Sequence, residues 1–170
     1  MYASLNKIFL ILFGYQLTWL FCVFGEYYEV PLLGCVVGVF YLIIFFYFNN
    51  NRITAFRICL IYSLIGFLFD SFLGFNKLYT INSKIMFGYL PIWFLVLWPS
   101  FTTLLVEVLT FLKNRFFIAF LLGANLAPST YYFGIYLGIA KSNNLFFAMT
   151  IMLLFWGLLI SSYSFYLRKY

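Results

Sequence analysis

The chain has no histidine, and only four acidic residues and three cysteines among its 170 residues. Charged residues make up 8% of it, against about 25% in an average soluble domain. A chain so poor in charge cannot coat a water-facing surface, which excludes the soluble globular, disordered, coiled-coil and collagen classes. No CxxC pair occurs and histidine is missing, so a zinc or haem site of the usual kind is excluded, and no metal or cofactor is expected. A Ser-His-Asp set, a phosphate loop and a nucleotide fingerprint are also absent. The ten basic residues form no clustered face, so no nucleic-acid partner is expected.

What fills the sequence is apolar bulk. Hydrophobic residues are 66% of the chain and aromatics 26%, mostly 25 Phe and 15 Tyr. Runs such as LGCVVGVFYLIIFFYF are long and apolar on all sides. A transmembrane barrel would instead alternate apolar and polar residues over short strands. Long apolar runs suit helices, which satisfy every backbone group within the segment. The fold class predicted is all-α: a polytopic membrane protein, one domain over residues 1–170 built as a bundle of six transmembrane helices, with no soluble domain.

Polar punctuation places the six spans near Leu5–Phe24, Pro31–Phe48, Ile53–Phe75, Ile85–Leu112, Phe116–Ala140 and Leu145–Leu167. The fourth carries Pro91 and Pro99, and the fifth carries Pro128. Lys7 and the apolar run after it have the look of a signal peptide. The bulky stretch Trp19–Phe24 offers no small-residue cleavage pattern, so the first span is read as a retained helix. With the amino terminus cytoplasmic, Lys7, Arg52, Arg57, Lys113, Arg115, Arg168 and Lys169 fall inside. Lys77, Lys84 and Lys141 fall outside. Seven against three satisfies the positive-inside rule and puts both termini in the cytoplasm.

Two acids lie within spans, and a charge in the hydrocarbon region is expensive enough to make each a candidate for function. Glu107 sits near the inner end of span four, at a depth like that of Arg57 in the antiparallel span three. A structural ion pair is expected there, with proton or ligand handling as the alternative. Asp70 sits near the outer end of span three and is expected to face the bundle interior. Its candidate partners, and with it the candidate ligand-binding set, are Gln16, Trp93, Asn125, Ser129, Thr130 and Tyr131, with Lys77 and Lys84 able to snorkel down. Asn125, Ser129 and Thr130 surround Pro128, which frees a helical carbonyl. They line a cavity or merely satisfy a kink; the sequence supports both. Asp70 and Glu107 lie on opposite sides of the midplane, which argues against a paired-carboxylate site. Cys22 and Cys35 flank a short loop, bonded or free, with free buried thiols the ordinary outcome. Gly34-x3-Gly38, Gly134-x3-Gly138 and Gly157-x3-Ser161 are spacings that let helices approach closely, and packing within the chain is expected.

Several of these residues fall in a recognisable order. Tyr15-Gln16-x2-Trp19-x2-Cys22-Val23-x-Gly25 is followed by Gly66-x3-Asp70-Ser71 and Gly74. Next come Pro91-x-Trp93-x3-Leu97-Trp98-x2-Phe101-Thr102-Thr103-Leu104 and Gly123-Ala124-x3-Pro128-x2-Tyr131-x2-Gly134-x2-Leu137-Gly138. Together they resemble a bacterial inner-membrane family catalogued as domain of unknown function 2878, over roughly residues 10 to 140. The chain departs from it at Val106-Glu107, where relatives tend to be more polar. The resemblance implies a small multi-pass protein of the bacterial inner (cytoplasmic) membrane with no established activity, encoded near enzymes that modify membrane lipids. Six short helices with Gly-x3-Asp in the third are also similar to substrate-binding subunits of energy-coupling-factor transporters and to the rod-shape subunit MreD.

The expected function is therefore non-enzymatic: binding of a lipid or apolar ligand in the bilayer, or partnership with a membrane protein or lipid-modifying enzyme. The alternatives are a small-solute transport subunit using Asp70 and the span-five polar group, and a membrane enzyme using Asp70 or Glu107. No catalytic residue set is assigned.

Overall fold

The structure is a computed structural model that describes residues 5–169. The chain ends, expected in the cytoplasm, lie outside the described residues. Six α-helices carry the fold: α1 (Leu5–Tyr27), α2 (Leu32–Phe48), α3 (Arg52–Phe75), α4 (Phe94–Glu107), α5 (Phe116–Tyr136) and α6 (Leu145–Lys169). Four of them, α1, α3, α5 and α6, are long and apolar enough to cross a membrane, while α2 and α4 are shorter apolar helices. Two minimal antiparallel ladders join them: β1 (Thr80–Ile81) with β4 (Ala140–Lys141), and β2 (Met86–Phe87) with β3 (Leu90–Pro91).

Five of the six expected spans coincide with helices to within a few residues. The fourth does not. Residues 85 to 112 were expected to run as one span, but they form the β2–β3 hairpin, then α4, then a 3₁₀ turn at Leu109–Leu112. Pro91 has no N–H and its ring excludes a helical neighbour, so it sits in β3 and the helix starts after it. Gly88 turns the hairpin at φ 63°, a conformation open to a residue without Cβ. Pro99 is held inside α4.

The chain divides into two compact units, residues 1–72 with 82–109, and residues 73–81 with 110–170. In the first, α1, α2 and α4 pack together. Glycine permits the approach: a Cβ on Gly34 would stand 2.5 Å from the Cys22 Cα, and one on Gly38 would meet Thr18 and Val96 at 2.9–3.1 Å. Cys22, Cys35 and Cys59 are free thiols. In the second unit α5 lies against α6. A Cβ on Gly123 would come 2.3 Å from the Trp156 carbonyl, and one on Gly157 would enter the Phe120 ring. Ser161 Oγ donates to the Phe116 carbonyl at 3.1 Å, and Ser164 Oγ to the Leu112 carbonyl at 2.5 Å. The small-residue spacings of α2 and α6 thus serve packing inside the chain. Gly138 has another use: it takes φ 77° with open space around it, just past the end of α5.

α1 and α3 end alike. The Val30 N–H bonds to the Gly25 carbonyl and the Leu78 N–H to the Leu73 carbonyl. Glu29 (φ 62°) and Lys77 (φ 54°) take the left-handed position. This is the closing pattern in which glycine is the usual occupant.

Candidate functional site

Helix α4 is where the first unit concentrates its polar groups. Two residues five positions apart on a helix point about 140° away from each other, and Trp93 and Trp98 are such a pair. Trp93 Nε1 donates to Glu26 Oε2 at 2.7 Å, on the side of α1. Trp98 Nε1 donates to Asp70 Oδ2 at 2.7 Å, on the side of α3. Asp70 is 2% exposed and Glu26 7%, so both carboxylates are drawn from solvent and held by an indole N–H. Hydrogen bonds to a charged acceptor are the stronger kind.

Asp70 faces the interior, as its cost in an apolar layer demands. Trp93, one of the expected donors, bonds elsewhere, and Trp98, which was not among them, donates to Asp70, because the phase of α4 turns Trp93 toward α1. The expected first span stops at Phe24, short of Glu26. α1 runs on to Tyr27, which puts Glu26 in its last turn and within reach of the Trp93 N–H.

At the other end of α4, Glu107 takes two partners. Lys7 Nζ stands 2.6 Å from Glu107 Oε1, and Asn49 Nδ2 donates to the same oxygen at 2.9 Å. The expected Arg57–Glu107 pair is therefore corrected to Lys7–Glu107. The reason is helical phase. Ala55, Ile58, Cys59 and Tyr62 form the buried side of α3. Arg57 lies roughly opposite that side at 100° per residue and is exposed.

Between the carboxylates α4 carries hydroxyls. Thr103 Oγ1 donates to the Ser100 carbonyl at 2.7 Å. Its oxygen also lies 2.6 Å from that of the Tyr41 hydroxyl, a hydrogen bond in which either group can donate. Thr102 donates to the Pro99 carbonyl and lies 3.4 Å from Ser63 Oγ on α3. Ser100 Oγ is buried without a partner. The three acids do not meet: each is held by its own donors at a different level of α4.

The other candidates distribute differently. Gln16 is exposed on α1, as are Asn125, Ser129 and Thr130 on α5. The last three bond back to their own helix, on the carbonyls of Leu121, Leu126 and Ala127 at 2.6–2.7 Å. That is the arrangement of a helix absorbing its polar groups around Pro128. Tyr131 is buried, its ring 5.1 Å from that of Tyr79, whose hydroxyl donates to the Tyr131 carbonyl at 3.4 Å.

An open groove with a volume of about 470 Å³ lies along α2. Val39, Leu42, Ile43, Phe46 and Tyr47 line it, with Arg52 at its end. The spacing of three, four, seven and eight from Val39 is one stripe of a helix. That stripe lies beside the buried side of α2, which carries Gly34, Gly38 and Phe45. Arg52 is anchored: Nη2 donates to the Tyr47 carbonyl at 2.8 Å, and the guanidinium carbon stands 6.0 Å from the Tyr47 ring centroid. Such a pose adds cation–π attraction to the bond. No feature of sequence spacing singled out this groove; the stripe was hidden in a run apolar all round.

An all-helical chain whose long helices are apolar throughout, with its acids clamped inside by tryptophan and lysine, has the build of a small helical membrane protein. Its family follows from the match over residues 8–162: the chain belongs to the family described as protein of unknown function (DUF2878). No curated protein and no solved structure matches it.

Proposed function

We propose that this chain spans the bacterial inner membrane six times with both ends in the cytoplasm, and that it binds a lipid without catalysing a reaction on it. The observation that carries the reading is the open α2 groove, lined by apolar side chains with one arginine among them. On the six-span reading α2 is one of the crossings, so an open apolar groove on it is a surface a lipid can meet without entering from water. The volume falls in the range of about 300–1,000 Å³ common to ligand sites, and its walls are apolar apart from Arg52. Against catalysis stand the separate clamps on Glu26, Asp70 and Glu107, since paired acid/base work needs two groups at one reacting centre.

In favour of six spans, α2 has 17 residues, the lower end of what crosses a hydrocarbon core of about 30 Å. The hairpin, α4 and the 3₁₀ turn together supply the fourth crossing. The orientation rests on the seven-to-three division of basic residues.

The test is purification from the native host in mild detergent, followed by mass spectrometry of what comes with the protein. A bound lipid, lost when Ile43→Trp fills the groove, supports the reading. A polar solute in its place would move the assignment to a transport subunit.

A further inference from the structure

We infer that the α2 groove is a site for an anionic phospholipid of the leaflet at the Arg52 end, with the phosphate on the Arg52 guanidinium and one acyl chain along α2. This rests on the lipid-binding reading and adds the class of lipid, its polarity and its leaflet.

Three observations carry it. The first is charge. Lys7, at the same end of the unit, is neutralised by Glu107. Among the described residues no carboxylate pairs with Arg52, while Lys84 is taken by Glu29. An exposed cation therefore stands at the foot of an apolar groove. A guanidinium has five N–H donors. The Tyr47 carbonyl takes one, which leaves enough for two phosphate oxygens in the fork geometry that arginine favours.

The second is preorganisation. The Tyr47 carbonyl and ring hold the guanidinium beside the groove before any ligand arrives, so less side-chain freedom is lost on binding. The third is length. Val39 to Tyr47 is eight residues, about 12 Å at 1.5 Å each. Half of a hydrocarbon core of about 30 Å is about 15 Å. A chain laid from Arg52 along the stripe thus runs from headgroup level almost to the midplane, which is the span of one leaflet. A zwitterionic lipid brings its own cation to compete with Arg52 for the phosphate, which is why the anionic class is preferred.

The experiment uses the full chain in mild detergent, given an equal mixture of phosphatidylglycerol and phosphatidylethanolamine, with retained lipid read by native mass spectrometry. The wild type is expected to retain phosphatidylglycerol about fivefold over phosphatidylethanolamine, the effect of one cation at a membrane surface. Arg52→Gln should bring that ratio to about one, while Arg52→Lys preserves most of it. Ile43→Trp should remove both lipids. Thermal unfolding of each variant separates loss of the site from loss of the fold; Arg52 is exposed and its replacement leaves the core untouched. Equal retention of both lipids, or a ratio that Arg52→Gln does not change, overturns the inference and leaves lipid binding standing. Lipid retained undiminished by Ile43→Trp overturns the groove as the site. A wild type that retains no lipid overturns the parent reading as well. Glycerol phosphate without acyl chains, if it displaces the lipid at equal concentration, overturns the role of the chain.

Discussion

Gly66 on α3 stands flat against the Trp98 ring of α4: a Cβ at that position would come within 2.3 Å of three ring carbons. One turn further along α3, Asp70 accepts the hydrogen of the same indole. The Gly-x3-Asp spacing is therefore a socket for one tryptophan. Glycine makes the space and aspartate catches the polar edge.

The socket predicts the effect of adding one carbon. Gly66→Ala should destabilise the protein by about 1–3 kcal/mol, the usual cost of overpacking. Because the ring must move, tryptophan fluorescence should shift as well. Both are read in a detergent-solubilised sample, the stability by thermal or denaturant unfolding.

Removing the donor instead of the space should cost about as much. Trp98→Phe keeps an aromatic ring in the socket and takes the N–H from Asp70. A hydrogen bond to a charged group contributes about 1.5–3 kcal/mol, and a loss of that size is expected. Combining Trp98→Phe with Asp70→Leu should recover part of it, because the second change removes the carboxylate that the first left short of a donor. A double-mutant cycle measures the coupling.

Lys7 and Glu107 should behave as a part-buried pair. Lys7→Met or Glu107→Met alone leaves a charge in an apolar setting, and the double change should cost less than either single one. Arg57→Gln should stay within about 0.5 kcal/mol of the wild type, as expected of a surface change. A large effect at Arg57 with none at Lys7 would contradict the observed pairing.

The Glu29–Lys84 pair gives a pH prediction. Lys84 stands 2.7 Å from Glu29 in the connection after α1, and its bond and charge hold the Glu29 carboxyl below the usual carboxylate range. A carboxyl lowered in the folded state contributes stability above its unfolded pKa and loses it as pH falls through the folded value. Both side chains are well exposed, so the contribution is small and screened by salt. The difference in stability between wild type and Glu29→Gln should therefore be present at neutral pH and low salt. It should vanish in acid and at high salt.

Much of this was legible in advance, for identifiable reasons. The ends of α1, α2, α3, α5 and α6 are marked by Gly25-Glu26, the Asn49–Arg52 run, Asn76, Lys113–Arg115 and Lys141–Asn144, where hydropathy drops. The interior position of Asp70 followed from the cost of a lipid-facing carboxylate. The hairpin before α4 was hidden because Ile85–Leu97 is almost uniformly apolar, and hydropathy does not distinguish a turn from a helix there. Partners depended on phase. Choosing Trp98 over Trp93, or Lys7 over Arg57, requires knowing where α4 begins and which side of α3 is buried. The apolar runs carry no polar face to reveal it. Lys7 counted as a topology marker and Glu26 fell just beyond the expected first span, which hid their use as partners of α4.

The three less exposed acids of the first unit all meet α4 and its cap: Glu26 is answered by Trp93 and Asp70 by Trp98, while Glu107, on α4 itself, reaches back to Lys7, 100 positions earlier. This has a consequence for biogenesis. On the six-span reading proposed above, α1 to α3 enter the bilayer during synthesis carrying Glu26 and Asp70 with neither tryptophan yet made, and Lys7 without its counter-charge. Those three helices have no finished resting state until residues 93 to 107 arrive. Arrival of α4 is thus the committing event for the first half of the molecule. A nascent chain stalled before Trp93 should be held by the insertion machinery or degraded, whereas one stalled just after Glu107 should already resist proteolysis over residues 5–72.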